Sequence, residues 1–385
     1  RIFCAVCGAD GSTTGWGHVR FFRRNVRINL ALQGGGAHGA FTWGVLDRLL
    51  EDEQLDINWI SATSAGAVNA VALAAGLSEG GRSSARRKLR HVWEAVHKAG
   101  VPDLLRLNPF FYGLTSSSHL AKVASLWSPY EFNPLGFDPL RRLLSETLDF
   151  DRLRTDSPVE LLIAATEVAS GRAKIFRRDE ITLEAVLASS CLPTLHHAVQ
   201  IDGVAYWDGG FSANPDIKTL AMESPVGDTL IVQLDPLIRN ELPKGVREIS
   251  MHANRITFNA PLMRDIELIE SVRECSRTWL GGARGSLGRL ATHRFHLIEA
   301  GHYTGALSLD STMKPDWQLL NYLQSAGRDE AEKWLRRHRA SLGRRSSVDL
   351  KERFLKGIAG CDDVPPSEEL IEPAERKLAV NSPDT

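Results

Sequence analysis

The amino-acid sequence predicts an α/β protein with a mainly parallel sheet covered by helices, and three observations carry that expectation. Two apolar runs, residues 28–32 and 57–62, each pass within a few positions into a tight turn and then into a segment with helical spacing. Strand, turn and helix repeated in succession open a parallel sheet, because a parallel neighbour is reached only through a crossover. Two later runs, 160–165 and 229–234, hold continuous apolar stretches, Leu161 to Ala165 and Leu230 to Val232, instead of alternating, as strands buried on both faces do.

Taken in chain order, residues 1–26 lack periodicity and are rich in Gly, Ser, Thr and Arg, so they read as an irregular arm before a domain spanning 27–355. Strand 28–32 ends at Gly34-Gly35-Gly36, and residues 40–50 then form a helix with Phe41, Val45, Leu46, Leu49 and Leu50 on its buried face. Strand 57–62 runs into Ser64-Ala65-Gly66 and an alanine-rich helix through residue 75. Further strands are expected at 160–165, 173–177, 229–234 and 294–298. Helices are expected at 82–99, 140–146, 182–189, 246–280 and 317–342. Residues 101–139 break the pattern with prolines and aromatics, among them Phe110, Phe111, Trp127 and Tyr130, and read as an inserted cap. Residues 356–385 are acidic and proline-containing, the composition of a disordered tail.

Composition narrows the function classes. In 385 residues, 46 Lys and Arg nearly cancel 47 Asp and Glu, so no overall field selects nucleic acid as a partner. No apolar run approaches the ~20 residues of a spanning helix. The expected location is the cytoplasm, with peripheral contact to a membrane. The five cysteines form no framework, and Cys4-x-x-Cys7 lacks the second pair that a zinc site requires, so no metal is expected. The run Arg82, Arg86, Arg87, Lys88 and Arg90 reads as a solvated helix face.

The chemistry lies in three short motifs. In Ala62-Thr63-Ser64-Ala65-Gly66 a serine stands between strand and helix among small residues, the pattern of a nucleophile elbow, where bulk would stop strand and helix from passing. Ala62 stands where the usual motif has glycine. Gly34-Gly35-Gly36-Ala37-His38-Gly39 offers consecutive backbone N–H groups at a helix start, a cradle for an anion and therefore for the oxyanion of a reacting ester. The same letters fit a dinucleotide loop, but that reading requires an acidic residue ending the second strand, where Ser61, Ala62 and Thr63 stand. The third motif, Asp208-Gly209-Gly210 followed by Asn214-Pro215, reads as a loop presenting a carboxylate. His38, His196, His197, His293, His296 and His302 are the candidates for completing a triad, and the order of residues disfavours one.

These three motifs, in this order and setting, resemble the patatin-like phospholipase family, of the bacterial type, over roughly residues 28–355 and including Ala188-Ser189-Ser190-Cys191-Leu192-Pro193. The resemblance implies a three-layer α/β/α fold and a serine–aspartate dyad without histidine. It implies Ser64 as nucleophile, Asp208 as general base and Gly34, Gly35 and Gly36 as the oxyanion loop. Ala62, Gly66, Gly209 and Gly210 would support elbow and loop. His38 stands where the family often has Arg or Lys. The expected activity is hydrolysis of a lipid acyl ester through an acyl-enzyme, with no cofactor. The alternative is a catalytically weak lipid-binding or regulatory member of the family.

Overall fold

The computed structural model describes residues 25–99, 128–237, 242–278, 284–305, 307, 311–313 and 315–356. The arm up to residue 24, the first part of the insertion with Phe110 and Phe111, and the acidic tail lie outside the described residues.

One eight-stranded sheet organises the chain: β1 (Val26–Leu32), β2 (Leu55–Thr63), β3 (Glu160–Glu167), β4 (Ala173–Arg177), β5 (Val199–Ile201), β6 (Val204–Asp208), β7 (Asp228–Gln233) and β8 (Arg294–Glu299). The run β3-β2-β1-β7-β8 is parallel throughout. The helices longer than one turn are α1 (Gly39–Leu49), α2 (Ala65–Ala99), α3 (Pro139–Thr147), α4 (Phe150–Asp156), α5 (Leu183–Ser189), α6 (Ile217–Glu223), α7 (Val246–Thr278), α8 (Gly285–Thr292) and α9 (Trp317–His338) among the described residues.

Side-chain alternation along the strands divides the interior in two. Leu30, Leu32, Leu161, Ile163, Leu230 and Val232 join the core built with α1, α2, α5 and α9. The intervening Ala31, Leu162 and Ile231 face the other way, into the core built with α6, α7 and α8. The result is the three-layer α/β/α arrangement. On the first face α1 and α9 cross at close range through two glycines. A Cβ on Gly44 would lie 1.9 Å from the Gln324 carbonyl oxygen, and one on Gly327 would lie 2.0 Å from that of Phe41.

The feature that builds the site is the unequal length of β2 and β3. Thr63 at the end of β2 pairs with Ala164, and β3 continues to Glu167. The edge exposed beyond Ala164 is taken by β6, which runs antiparallel and pairs Asp208 with Ala165 and Tyr206 with Glu167. Ala164 and Ala165 also pair with β4, so β4 occupies the opposite edge and β2 and β6 share one. The C-terminal ends of β2 and β6 therefore meet head to head, one residue apart along β3.

Two local outcomes differ from the sequence reading. Asp208 ends a strand instead of sitting in a loop, because residues 199–208 form a β5–β6 hairpin whose turn, Asp202-Gly203, has φ of 51° and 80°. Successive left-handed residues are what a two-residue hairpin turn of this hand requires, and Asp-Gly supplies them. The alanine-rich helix and the helix at 82–99 also run together as α2, broken by non-helical backbone at Gly80 and Gly81.

Candidate active site

Ser64 sits between β2 and α2 with φ of 54°, in the left-handed region that a non-glycine residue adopts only under constraint. The constraint is visible on both sides. Its N–H donates to the Ser189 hydroxyl at 2.9 Å, and its carbonyl accepts the Val68 N–H of α2. A Cβ on Gly66 would lie 2.4 Å from the Leu32 carbonyl oxygen, so α2 leaves the sheet by passing directly over β1. Ala62, in place of the usual glycine, is fully buried in the strand with its methyl in the core. The extra methyl is absorbed by packing, while the position two residues after Ser64 has no such room.

Asp208 is fully buried. One carboxylate oxygen accepts the Gly210 N–H at 2.7 Å, and the other has no hydrogen bond of ordinary geometry. Burial pushes its pKa up from 3.8 to about 7, against the smaller opposing pulls of the Gly210 N–H and the nearby Ser64 hydroxyl. The Ser64 hydroxyl is thus close enough to favour the charged carboxylate, although no well-aligned hydrogen bond joins them in this state. The aspartate backbone is fixed from three directions. Its N–H donates to the Cys191 carbonyl, its carbonyl accepts the Thr166 hydroxyl, and β3 holds it in register. A Cβ on Gly209 would lie 2.2 Å from the Ala164 carbonyl oxygen, and one on Gly210 would lie 2.2 Å from the Phe258 ring.

The glycine loop runs beside the serine. A Cβ on Gly34 would fall 2.8 Å from that of Ser64. The Gly34 N–H is already engaged by Asn214 Oδ1 at 2.8 Å, and Asn214 Nδ2 donates to the Phe258 carbonyl of α7. The N–H groups of Gly35 and Gly36 take no acceptor among the described residues. Gly36 has φ of 57° and approaches the Thr312 carbonyl so closely that a Cβ would lie 2.2 Å away. Gln33 secures the loop base, accepting the Leu234 and Asp235 N–H groups and donating to Asn259 Oδ1.

His38 is buried within hydrogen-bond distance of the Ser311 hydroxyl, 2.7 Å. Burial, and secondarily the Arg255 charge, lowers its pKa to about 4, so it is neutral and carries no charge into the loop. Three of the other candidate histidines have separate partners. His197 pairs with the Pro129 carbonyl and stacks on Tyr130, His293 meets the Thr229 hydroxyl, and His296 meets Asp228. His302 is exposed, and His196 lines a cavity of about 320 Å³ with Asp138, Arg141 and Cys191. Among the described residues no histidine bonds Ser64 or Asp208. Of the basic run on α2, Arg82, Arg86, Lys88 and Arg90 are held in ion pairs with Asp56, Asp47, Glu79 and Glu94.

Sequence reasoning missed Ser189 and Asn214 as site residues. Both lay inside quoted motifs, but a side chain that holds a backbone N–H from another segment, at separations of 125 and 180 residues, leaves no local pattern.

By structure the chain is similar to VipD from Legionella pneumophila, at 17% identity and a TM-score of 0.40, covering 81% of this chain and 67% of that one. It is also similar to ExoU, in its heterodimeric complex with SpcU from the type III secretion system of Pseudomonas aeruginosa. There the identity is 17%, the TM-score 0.30, and the coverage 81% of this chain and 52% of that one, about half its length. No curated protein matches the chain by sequence. Residues 30–221 match the family model described as patatin-like phospholipase, a stretch that holds the glycine loop, Ser64 and Asp208. The chain belongs to the patatin-like phospholipase family, whose activity is the hydrolysis of lipid acyl esters.

Proposed function

We propose that this protein hydrolyses lipid carboxylic esters through an acyl-enzyme on Ser64, with Asp208 as its only side-chain base. The observation that supports this most directly is a strained serine beside a fully buried carboxylate whose pKa lies near 7. An ordinary aspartate is too weak a base to take a serine proton, and one with a pKa near neutrality is matched to the task.

In the first half-reaction the Ser64 hydroxyl proton passes to Asp208 as Oγ attacks the carbonyl carbon. The N–H groups of Gly35 and Gly36 receive the oxyanion, while Gly34, whose N–H is held by Asn214, lets the loop lie against Ser64. Asp208 returns the proton to the departing alcohol oxygen as the C–O bond breaks. In the second half-reaction water loses a proton to Asp208 and attacks the acyl carbon, and collapse releases the fatty acid and restores Ser64–OH. The α2 N-terminus directly after Ser64 adds a favourable field for the negative charge.

The test is intact-mass labelling with a fluorophosphonate, together with fatty-acid release from ester substrates. Wild type should take one adduct, Ser64→Ala none, and Asp208→Asn should label at least ~100-fold more slowly. Failure of correctly folded wild type to label would leave the catalytically weak, lipid-binding alternative as the reading.

A further inference from the structure

We propose that the N-terminal third of α7 is a lipid-docking edge that lays the mouth of the site onto a membrane by inserting aliphatic side chains. This rests on the proposed function, and it names a surface that the chemistry itself does not require.

The helix has two apolar sides with different fates. From residue 258 onward its inward side is bound into the site. Phe258 packs on Gly210 and against Phe211, its carbonyl accepts from Asn214, Asn259 bonds Gln33, and Leu262 and Ile266 are fully buried. Ahead of that, one side of the helix is open to solvent, while Met251, His252 and Arg255 on the other are half-buried. Leu242, Val246, Ile249 and Ile256 are 81%, 89%, 50% and 59% exposed. Within the helix, positions 246, 249, 253 and 256 follow the 3, 4, 3 spacing of a single face, with Ala253 completing the stripe. The stripe is about 15 Å long. No single helix-internal requirement asks for valine and isoleucine there, since both are weak helix formers.

The occupant follows from chemistry and size. Four aliphatic side chains present a few hundred Å², below the roughly 800 Å² per partner of a stable protein interface, so a second copy of the chain would be held poorly. A lipid surface asks for something else: apolar side chains reaching past the headgroups from a helix lying in the interface plane. Between Lys244 and Thr257 the sequence sets Lys244, Arg247 and Arg255 against Glu248, with Ser250, His252, Asn254 and Thr257 as the other polar residues; Arg255 lies against Asp235, and Glu248 accepts from the Lys244 and Gly245 N–H groups at the helix start. Glu248 and Asp235 set against these three cations leave a net charge of +1 (3 minus 2), too small for attraction to anionic headgroups to dominate, which fits insertion into zwitterionic lipid. The same rigid helix that would sit in the lipid also packs on Gly210, two residues from Asp208.

Vesicles of phosphatidylcholine test this by co-sedimentation at low and high salt. Wild type should bind at both, and the triple variant Val246→Ser, Ile249→Ser, Ile256→Ser should lose about tenfold or more of its partition. Hydrolysis of vesicle lipid should fall in step. Hydrolysis of a soluble short-chain ester and fluorophosphonate labelling should stay as in wild type, which separates failure of the docking edge from failure of the dyad. Leu268→Ser, an exposed leucine beyond Pro261 on the same helix, should bind as wild type does. Unchanged vesicle binding by the triple variant overturns the proposal. So does binding abolished by salt alone, or a wild-type dimer in light scattering that the triple variant splits.

Discussion

At the scale of single residues, Asp208 carries two consequences that pull against each other. To accept the Ser64 proton it must be charged, so kcat/KM should rise as pH passes upward through about 7 and level off above. A stopped assay on a soluble ester measures this directly, and a flat profile from about pH 5 to about pH 8 would remove Asp208 as the base. For stability the sign is opposite. The folded pKa lies above the unfolded value, so between the two the folded protein holds a proton that the unfolded chain has lost. Stability contributed by this group is complete below about pH 4 and is lost as pH rises through about 7. Asparagine keeps the acceptor for the Gly210 N–H and carries no charge. Asp208→Asn should therefore raise Tm by roughly 5 °C near pH 8 and by clearly less near pH 5. Equal gains at both would show that the carboxylate is charged at no cost. Ser64, Asp208 and the glycine loop, which the structure brings together, stood out in the sequence because the chemistry proposed for them demands fixed residue types at short spacing. Ser189 and Asn214 did not, since each acts as one hydrogen bond to a distant backbone.

At the scale of elements, most strands and helices were legible from periodicity, and those that were not share a cause. β6 is held by three residue pairs along β3, and β5 is three residues long, so register and not propensity makes them strands. Length alone also hid the fusion of two helices into α2, whose break at Gly80-Gly81 lies inside a glycine pair that reads equally well as a loop. The α1–α9 crossing was beyond sequence reasoning because each glycine matters only through its partner helix. Gly44→Ala should cost about 3 kcal/mol, since the new methyl would push Gln324 and its turn away. A lowered denaturant midpoint, with fluorophosphonate labelling of the folded fraction unchanged, is the expected result. An unshifted midpoint would mean that the two helices slide apart freely.

At the scale of the whole molecule, the sheet separates two tasks. One face, with α1, α2 and α9, holds the larger core and the start of α2 beside Ser64, and the other carries α7 from the site outward to an exposed aliphatic edge. No helix among the described residues is long and apolar enough to cross a membrane. The docking edge proposed above would meet lipid at a surface, with salt-insensitive vesicle binding as its whole-molecule signature.

The head-to-head meeting of β2 and β6 on β3 has a bearing on how such a protein can diversify. Ser64 and Asp208 stand 144 positions apart in the chain (208 minus 64), yet Thr63, just before Ser64, and Asp208 pair with neighbouring residues of β3, one rise of about 3.3 Å apart along that strand. Connections between them can lengthen or shorten without touching that interval, because no loop spans it. The pair proposed to react is inherited with the sheet, while the segments that would meet different substrates are free to vary around it.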